Sequence, residues 1–386
     1  MKKTKKKIDF LISLLLVLSL LQGYMVKAAD MNLQGMVQET VQGLKAISGS
    51  SKKYILSDEN VFQAGNSICD WVALGMAVSG EKEAYGEYLE RFEEYVEESY
   101  RQKDCLDLVK ATPYHTSILT ILALGGNPLE FGRDAKGKSI NLVADGTYHF
   151  KGDSLGAQGI SGYIYALIAL DANAYEIPKG AAYSREEILE AILEKQSENG
   201  SFSFSGTGDD IDITAMALQA LAPYKEQEKV KVSIEKALNW LVNEMTPYGT
   251  FCCGSVETCE STAQVILAVC ALDLEMGERF QKDGITPWEG LQEFRQADGT
   301  YVHTLEEKEG DLIATEQALL ALEAVQVRET QNKWIFDFTE HKISENQHVT
   351  KDIPEIESIA GAVIVAAVFM VVIVTKKKEK GKKEYV

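Results

Sequence analysis

The stretch QSENGSFSFSGTGDDIDITAMALQALAPY, residues Gln196 to Tyr224, joins a Gly-rich loop to the start of an apolar helix. Asn199-Gly200 is a strong helix-breaking pair, and an apolar run follows from Ile213 to Leu221. Acidic side chains just before such a run can accept hydrogen bonds from the free N–H groups of the first helical turn. The stretch carries three of them, Asp209, Asp210 and Asp212.

The same pattern occurs twice more downstream. Gly249-Thr-Phe251 and Gly299-Thr-Tyr301 repeat Gly200-Ser-Phe202, and an apolar run follows each of them. The three glycines are 49 and 50 positions apart. A fixed period of about 50 residues indicates an array of repeated structural units.

Six apolar helices follow from extending this register along the chain. Each opens near a hydroxyl residue: Ser67, Thr116, Ser161, Thr214, Thr262 and Thr315. Amphipathic helices are predicted between them, at 88–100, 185–196, 230–244 and 287–295. Helices that are apolar nearly all round are buried, and amphipathic ones cover them. We therefore predict an all-α fold, an α6/α6 toroid (a double-layered helical barrel) over residues 60–338. The alternative, an open solenoid, requires polar caps at both ends.

The two ends of the chain predict a membrane-anchored surface protein. Residues 1–28 have the lysine-rich start, apolar centre and small-residue cleavage site of a signal peptide, and 29–59 form a lead-in segment. After a polar stalk at 339–358, residues 359–375 are uncharged and apolar, which predicts a transmembrane helix. The basic tail at 376–386 marks the cytoplasmic side, so we expect a single-pass protein of the cell membrane with an extracellular ectodomain.

The charge distribution restricts the partners of that ectodomain. The whole chain has a formal net charge of −19 although both ends are basic, so residues 29–375 carry a charge of about −28. Such a surface repels nucleic acids and anionic membranes, which excludes nucleic acid as a partner.

The cysteine pattern leaves the disulfide state open. The chain has six cysteines without a paired CxxC framework. An extracellular location permits disulfides, and Cys252 or Cys253 could close a small loop with Cys259. Cys69 and Cys270 lie in apolar runs, where buried free thiols are expected.

The repeats resemble the terpenoid cyclase and protein prenyltransferase α/α-toroid superfamily. Trp240-Leu241, Met245 and Gly249-Thr-Phe251 keep the spacing of the cyclase repeat, and Gln196 keeps its glutamine. The phrases DIDITAMALQALAPY, ESTAQVILAVCAL and ATEQALLAL are similar to those of the extracellular branch, which includes bacterial surface proteins and cobalamin-carrier toroids. The carriers cap their ligand with a second β-domain. Here a polar segment follows the toroid, so we expect no cofactor and disfavour a cobalamin-like ligand.

The resemblance also raises the question of catalysis. Class II cyclases use the middle Asp of an Asp-x-Asp-Asp-Thr run as a proton donor, and Asp210-Ile-Asp212-Ile213-Thr214 matches that run except at Ile213. Asp212, with Asp210 beside it, is therefore the candidate general acid. The competing interpretation is that Asp212 caps an inner helix, because acids recur near other inner-helix starts: Asp70, Glu260 and Asp311. We expect the cap and no catalysis.

A zinc site of the prenyltransferase kind would need Asp, Cys and His ligands. The candidates are Glu257 or Glu260 with Cys259 and His303, but no specific spacing supports them, and we predict no metal. Uncharged polar and aromatic residues on the inner helices are instead the candidate ligand-binding set: Trp71, Tyr163, Tyr165, Gln219, Gln264 and Gln317. These favour a protein that binds a neutral small ligand or a partner at the cell surface. An enzyme that uses Asp212 and a structural surface spacer are the alternatives.

Overall fold

The computed structural model describes residues 33–343 and Gln347. The predicted signal peptide, the transmembrane helix at 359–375, the basic tail and most of the stalk lie outside the described residues. Among the helices of the described part, none is both long and apolar enough to cross a membrane.

Thirteen α-helices occur within the described residues. They are α1 (33–47), α2 (Ser67–Val78), α3 (Tyr85–Lys103), α4 (Thr112–Ala123), α5 (Leu142–Gly146), α6 (Ser161–Asp171), α7 (Arg185–Leu193), α8 (Ile211–Leu221), α9 (Glu228–Glu244), α10 (Cys259–Ala271), α11 (Met276–Arg279), α12 (Pro287–Glu293) and α13 (Leu312–Gln331). Two short strands, β1 (Phe251–Cys253) and β2 (Val256–Thr258), form an antiparallel hairpin before α10.

The six apolar helices close into a ring. α2, α4, α6, α8, α10 and α13 contact one another in that order, and α13 packs against α2. Outside them, α7, α9 and α12 pack on α6, α8 and α10. The predicted helical toroid is confirmed, and the open solenoid is wrong. The second inner helix begins at Thr112, four residues before the predicted mark, because Pro113 occupies its first turn.

A threonine in the first turn of the inner helix holds each of the three clear repeats together. The hydroxyl of Thr214 accepts a hydrogen bond from the backbone N–H of Phe202 at 2.9 Å. Thr262 and Thr315 do the same for the aromatic residues after the other two repeat glycines, at 3.1 and 2.9 Å. Each hydroxyl therefore fixes the entering loop to the helix that follows it, which explains the regular spacing in the sequence.

The repeat glycines join neighbouring units. Gly249 has φ +77°, and a Cβ there would lie 2.2 Å from the Thr286 carbonyl oxygen at the start of α12. Gly200 meets the backbone of α9 in the same way, and Gly299 meets the backbone of α1 at Glu39. The last repeat therefore packs on the first helix. Helix α1, from the predicted lead-in, completes the outer layer where the ring closes.

Residues 332–343, the C-terminal strap, cross the end of the ring at which the inner helices finish. The Phe338 N–H donates to the carbonyl of Ala172 at 2.7 Å, just after α6. Further along, His341 Nε2 bonds the Ala123 carbonyl at 2.9 Å, at the end of α4. The described Gln347 reaches the Ala77 carbonyl in α2 at 3.2 Å. The first residues of the predicted stalk therefore lie against the toroid.

Candidate functional site

A cavity of about 500 Å³, the mouth cavity, lies between the C-terminal ends of α6 and α8 and the strap. Its apolar wall comes from these three elements: Ile168, Ala172, Ala220, Pro223, Trp334 and Phe336. Gln219 is the predicted ligand-binding residue that lines it. A concave, largely apolar cavity with a few polar groups is typical of small-molecule sites.

Aromatic side chains fill the lumen beneath the mouth cavity. The ring of Phe336 lies 5.8 Å from that of Trp71, and Trp71 lies 6.2 Å from Tyr165. Trp71 and Tyr165 are on α2 and α6, which are not adjacent in the ring, so this contact crosses the lumen. Phe336 of the strap therefore packs on aromatic side chains inside the ring.

The three predicted glutamines form one hydrogen-bonded ladder across neighbouring inner helices. Gln219 Nε2 donates to Gln264 Oε1 at 2.9 Å, and Gln264 Nε2 donates to Gln317 Oε1 at 2.6 Å. Gln317 Nε2 then donates to Glu316 Oε2 at 3.2 Å. The ladder connects the mouth cavity to a carboxyl group inside the toroid.

Two buried glutamates on α13, Glu316 and Glu323, were missed by the sequence reasoning. Burial raises the pKa of Glu316 to about 8 and raises that of Glu323 well above its ordinary value. Glu316 Oε1 and both carboxyl oxygens of Glu323 have no hydrogen-bond partner among the described residues. The sequence does indicate that these two glutamates lie together. They are seven positions apart in an apolar run, which places them on one face of a helix.

Polar groups at the edge of the mouth cavity tie three elements together. Arg185 Nε donates to Asp171 Oδ1 at 2.9 Å, and its other end donates to the Leu170 carbonyl at 3.0 Å. The Tyr224 hydroxyl donates to Asp171 Oδ2 at 2.8 Å. Burial raises the pKa of Asp171, and the hydrogen bonds from Arg185 and Tyr224 oppose that shift. Both oxygens of Asp171 and two donors of the Arg185 guanidinium are thus already used.

The predicted cap is at the wrong aspartate. Asp210 is the N-cap of α8 and accepts from the Ile213 N–H at 3.0 Å, because its extended backbone precedes the first helical residue. Asp212 lies inside the first turn, where Oδ1 is buried without a hydrogen-bond partner among the described residues. Burial raises the pKa of Asp212, a hydrogen bond with Ser261 opposes that shift, and the charges of Asp210 and Glu260 add to it. Asp212 lines a second cavity of about 370 Å³ with Cys252 and Cys253.

The other recurring acids have different roles. Asp311 caps α13, but Asn66 caps α2 and Thr258 caps α10. Asp70 accepts from the Tyr88 hydroxyl at 2.7 Å, and burial raises its pKa to about 7. Their recurrence in the sequence therefore does not mark one shared function.

The candidate zinc ligands only partly converge. His303 Nδ1 lies 2.8 Å from a Glu260 oxygen, and this contact raises the pKa of His303. The thiol of Cys259 is buried and points to the Ala314 carbonyl at 3.6 Å. In the described part of the chain, no three His, Cys, Asp or Glu side chains are grouped as metal ligands.

The remaining predicted residues lie apart from the mouth cavity. Tyr163 lines a separate groove with Phe204 and is within 3.3 Å of Ser154 Oγ. All six cysteines are free thiols, so the structure contains no loop closed between the β1–β2 hairpin and Cys259. Cys270 is buried, as predicted, and Cys69 is partly buried.

Comparison with known proteins identifies the class to which this ring belongs. The family model of the prenyltransferase alpha-alpha toroid domain matches residues 81–273 and, in a second match, 215–384. The chain therefore belongs to the prenyltransferase alpha-alpha toroid family. Among solved structures it is similar to the Candida albicans protein geranylgeranyltransferase-I complexed with GGPP, with 11% sequence identity and a TM-score of 0.49. That match covers 82% of this chain and 96% of the other. No curated protein matches the chain.

Proposed function

We propose that this toroid is a binding protein that holds a small ligand with a largely apolar body in the mouth cavity, without catalysis. The mouth cavity itself is the observation that carries the proposal. Its wall is built from α6, α8 and the strap, and the buried amide of Gln219 supplies a polar contact within it. Sites that combine apolar walls with a few fixed polar groups hold drug-sized molecules.

We further propose that the toroid works outside the cell, anchored by residues 359–375 and belonging to the extracellular branch of its superfamily. The signal-like residues 1–28 and the lysine-rich tail support this topology. A reporter fused after Val386 is expected in the cytoplasm, and one inserted at Asp30 outside. The opposite labelling would contradict the topology and leave the mouth cavity as it is.

Native mass spectrometry of the full chain, purified from its own host in detergent, tests ligand binding. We expect an additional mass that is retained by the wild type and reduced by Ala220→Phe, since Ala220 is buried in the cavity wall. Val232→Phe, at an exposed position of α9, is the matched control and should retain the mass. The folding control is urea unfolding of both variants, which should each show a cooperative transition like that of the wild type. A wild type that carries no mass and is stabilised by no member of a small-molecule library would contradict the proposal and favour a structural spacer.

One observation supports the enzyme alternative. The raised pKa of Asp212 and its unpaired oxygen in a cavity of about 370 Å³ are properties of a general acid. Cyclisation of isoprenoid epoxides by the full chain, abolished in Asp212→Asn with unchanged unfolding, would establish this activity. Equal product from wild type and Asp212→Asn would exclude it.

A further inference from the structure

We infer that the ligand of the mouth cavity is an organic cation: an apolar body that carries an ammonium-type head group. This inference rests on the proposed function and specifies the chemistry of its ligand. Three features of the mouth cavity carry it, namely its uncompensated charge, its aromatic wall and the direction of the glutamine ladder.

The charge of the mouth cavity is negative. Four charged side chains line it, Asp171, Glu176, Arg185 and Asp337. Asp171 and Arg185 neutralise each other in an ion pair. Glu176 and Asp337 form no ion pair with a described residue. Asp337 accepts from the N–H and hydroxyl of Thr339, and it attracts Lys333 at longer range, while Lys333 itself pairs with Glu340 at 3.0 Å. Two negative charges therefore remain at the edge of the cavity.

Among the described residues of the lining, Arg185 is the one cationic side chain, and its charge is already balanced by Asp171. Arg185 already donates to Asp171 and to the Leu170 carbonyl. Since Asp171 already balances the charge of Arg185, a carboxylate or diphosphate group would add to the negative charge of the lining even if it reached the remaining N–H groups of Arg185. The lining thus discriminates against anionic ligands.

The aromatic wall suits a positive charge. Trp334 and Phe336, whose ring centroids are 5.2 Å apart with nearly perpendicular planes, line the cavity together with Tyr224, which lies just after α8. The faces of such rings attract ammonium groups, with an energy of about 0.5–2 kcal/mol per contact.

The glutamine ladder supplies the hydrogen-bond acceptor. Gln219 is 3% exposed and donates one N–H to Gln264. Its Oε1 accepts no hydrogen bond from a described residue. At the far end of the ladder, Glu316 Oε2 accepts from Gln317 Nε2, so each amide in the ladder directs an N–H toward α13 and none directs one toward the cavity end. The cavity end of the ladder therefore presents a carbonyl oxygen, and an ammonium N–H is its complement.

Charge-matched probes test the inference on the full chain in detergent. Tryptamine, tryptophol and indole-3-propionate share an indole body and carry a cationic, neutral or anionic head, and the corresponding naphthyl series provides a second body. By calorimetry we expect the ammonium compounds to bind at least about tenfold more tightly than the alcohols, a difference of about 1.4 kcal/mol. The carboxylates should bind more weakly than the alcohols.

Substitutions in the lining test whether the preference for ammonium over alcohol arises in the mouth cavity. The double change Glu176→Gln with Asp337→Asn should reduce the preference for ammonium over alcohol to about threefold or less, with unchanged affinity for the alcohol. Glu306→Gln with Glu309→Gln removes two exposed charges from the loop before α13 and should retain the full preference. Gln219→Leu should weaken ammonium and alcohol together.

Each outcome separates this inference from the proposed function. If alcohols or carboxylates bind as tightly as the ammonium compounds, the inference of a cationic ligand is wrong, but the proposal that the toroid binds a small ligand stands. If no probe binds but a native ligand is retained, the charge of that ligand decides the inference. If neither probe nor native ligand binds, both proposals are wrong.

Discussion

Two aspartates two positions apart, Asp210 and Asp212, have different environments because the helix begins between them. Asp210 is outside the first turn and caps it, and Asp212 is inside the turn with one oxygen buried. The sequence shows both acids, but which one caps depends on a helix start placed to within one residue. Sequence patterns do not reach that accuracy.

Substitution at these two positions should separate the roles. Asp210→Ala should lower the free energy of unfolding by about 0.5–2 kcal/mol, because the Ile213 N–H loses its acceptor. Asp210→Asn should cost little, since asparagine also caps helices. Asp212→Asn should cost nothing or stabilise, because it removes a partly buried charge that lies near Asp210 and Glu260. Urea unfolding at pH 7 measures all three, and a larger loss at Asp212 than at Asp210 would contradict the assignment.

Glu316 should make stability depend on pH. Folding raises its pKa from an ordinary value of 4.5 to about 8, so between these values the folded protein holds a proton that the unfolded chain has released. The contribution of Glu316 to stability is therefore lost as the pH rises from about 4.5 to about 8. Glu316→Gln cannot titrate, so its free energy of unfolding relative to wild type should increase between pH 5 and pH 8. Unfolding of both proteins in urea at these two pH values measures the difference, and a constant difference would show that Glu316 is ionised throughout.

At the scale of the elements, the sequence predicts the inner helices and the glycines at which neighbouring repeats meet. Apolar runs predict the inner helices because burial on all sides leaves no polar face, and Ser67 and Ser161 are the first residues of α2 and α6. The repeat glycines are predicted from their spacing and from the aromatic residue two positions after each of them. Glycine is required at these positions for a steric reason, because each one touches the backbone of the next outer helix. The sequence does not show this contact, since Gly249 meets Thr286, which lies 37 positions further along the chain.

Gly249→Ala should be strongly destabilising. The alanine Cβ would lie 2.2 Å from the Thr286 carbonyl oxygen, and the residue would also have to keep φ at +77°. Gly254→Ala is the matched control, because Gly254 has φ +64° but no atom near its added Cβ. Thermal unfolding should show a loss of about 1 kcal/mol for Gly254→Ala from the backbone alone. The loss for Gly249→Ala should be larger. Equal losses would mean that the backbone at Gly249 and Thr286 moves apart at little cost.

At the scale of the whole molecule, the repeat predicts a closed ring, but the helix that completes its outer layer, the strap and the packing inside the ring could not be read from the sequence. Helix α1 appeared as a polar lead-in because its buried residues, Val37, Val41 and Leu44, contact a core that the sequence supplies only much later. The ladder of glutamines was predicted as a set of candidates, whereas its geometry requires three helices in register. Glu316 and Glu323 were overlooked because an isolated glutamate in a helix is usually at the surface.

A substitution in α1 tests whether closure stabilises the whole ring. An alanine Cβ at Gly43 would lie 2.8 Å from the backbone of Gly299 and Thr300, whereas one at Gly35, in the same helix, meets no atom within 4 Å. Gly43→Ala should therefore lower the melting temperature of a single, cooperative transition. Gly35→Ala should be neutral or stabilising, since alanine favours helix. An early separate transition in Gly43→Ala would show instead that α1 is an appendage to an already closed ring.

The closure contact also sets the order in which the ring can assemble. Lys45 of α1 pairs with Glu81 and Glu83 nearby in the sequence, but Glu39 pairs with Arg295 across 256 residues of chain, so that face of α1 must wait for nearly the whole toroid. Contacts this distant in sequence carry a large entropic cost of loop formation and slow the search for the native state. During synthesis α1 emerges before the other described helices and completes its contacts only when the last repeat has formed, which leaves part of its apolar face uncovered while the other units form. The interval before docking is the period in which this chain is most exposed to aggregation and most dependent on chaperones.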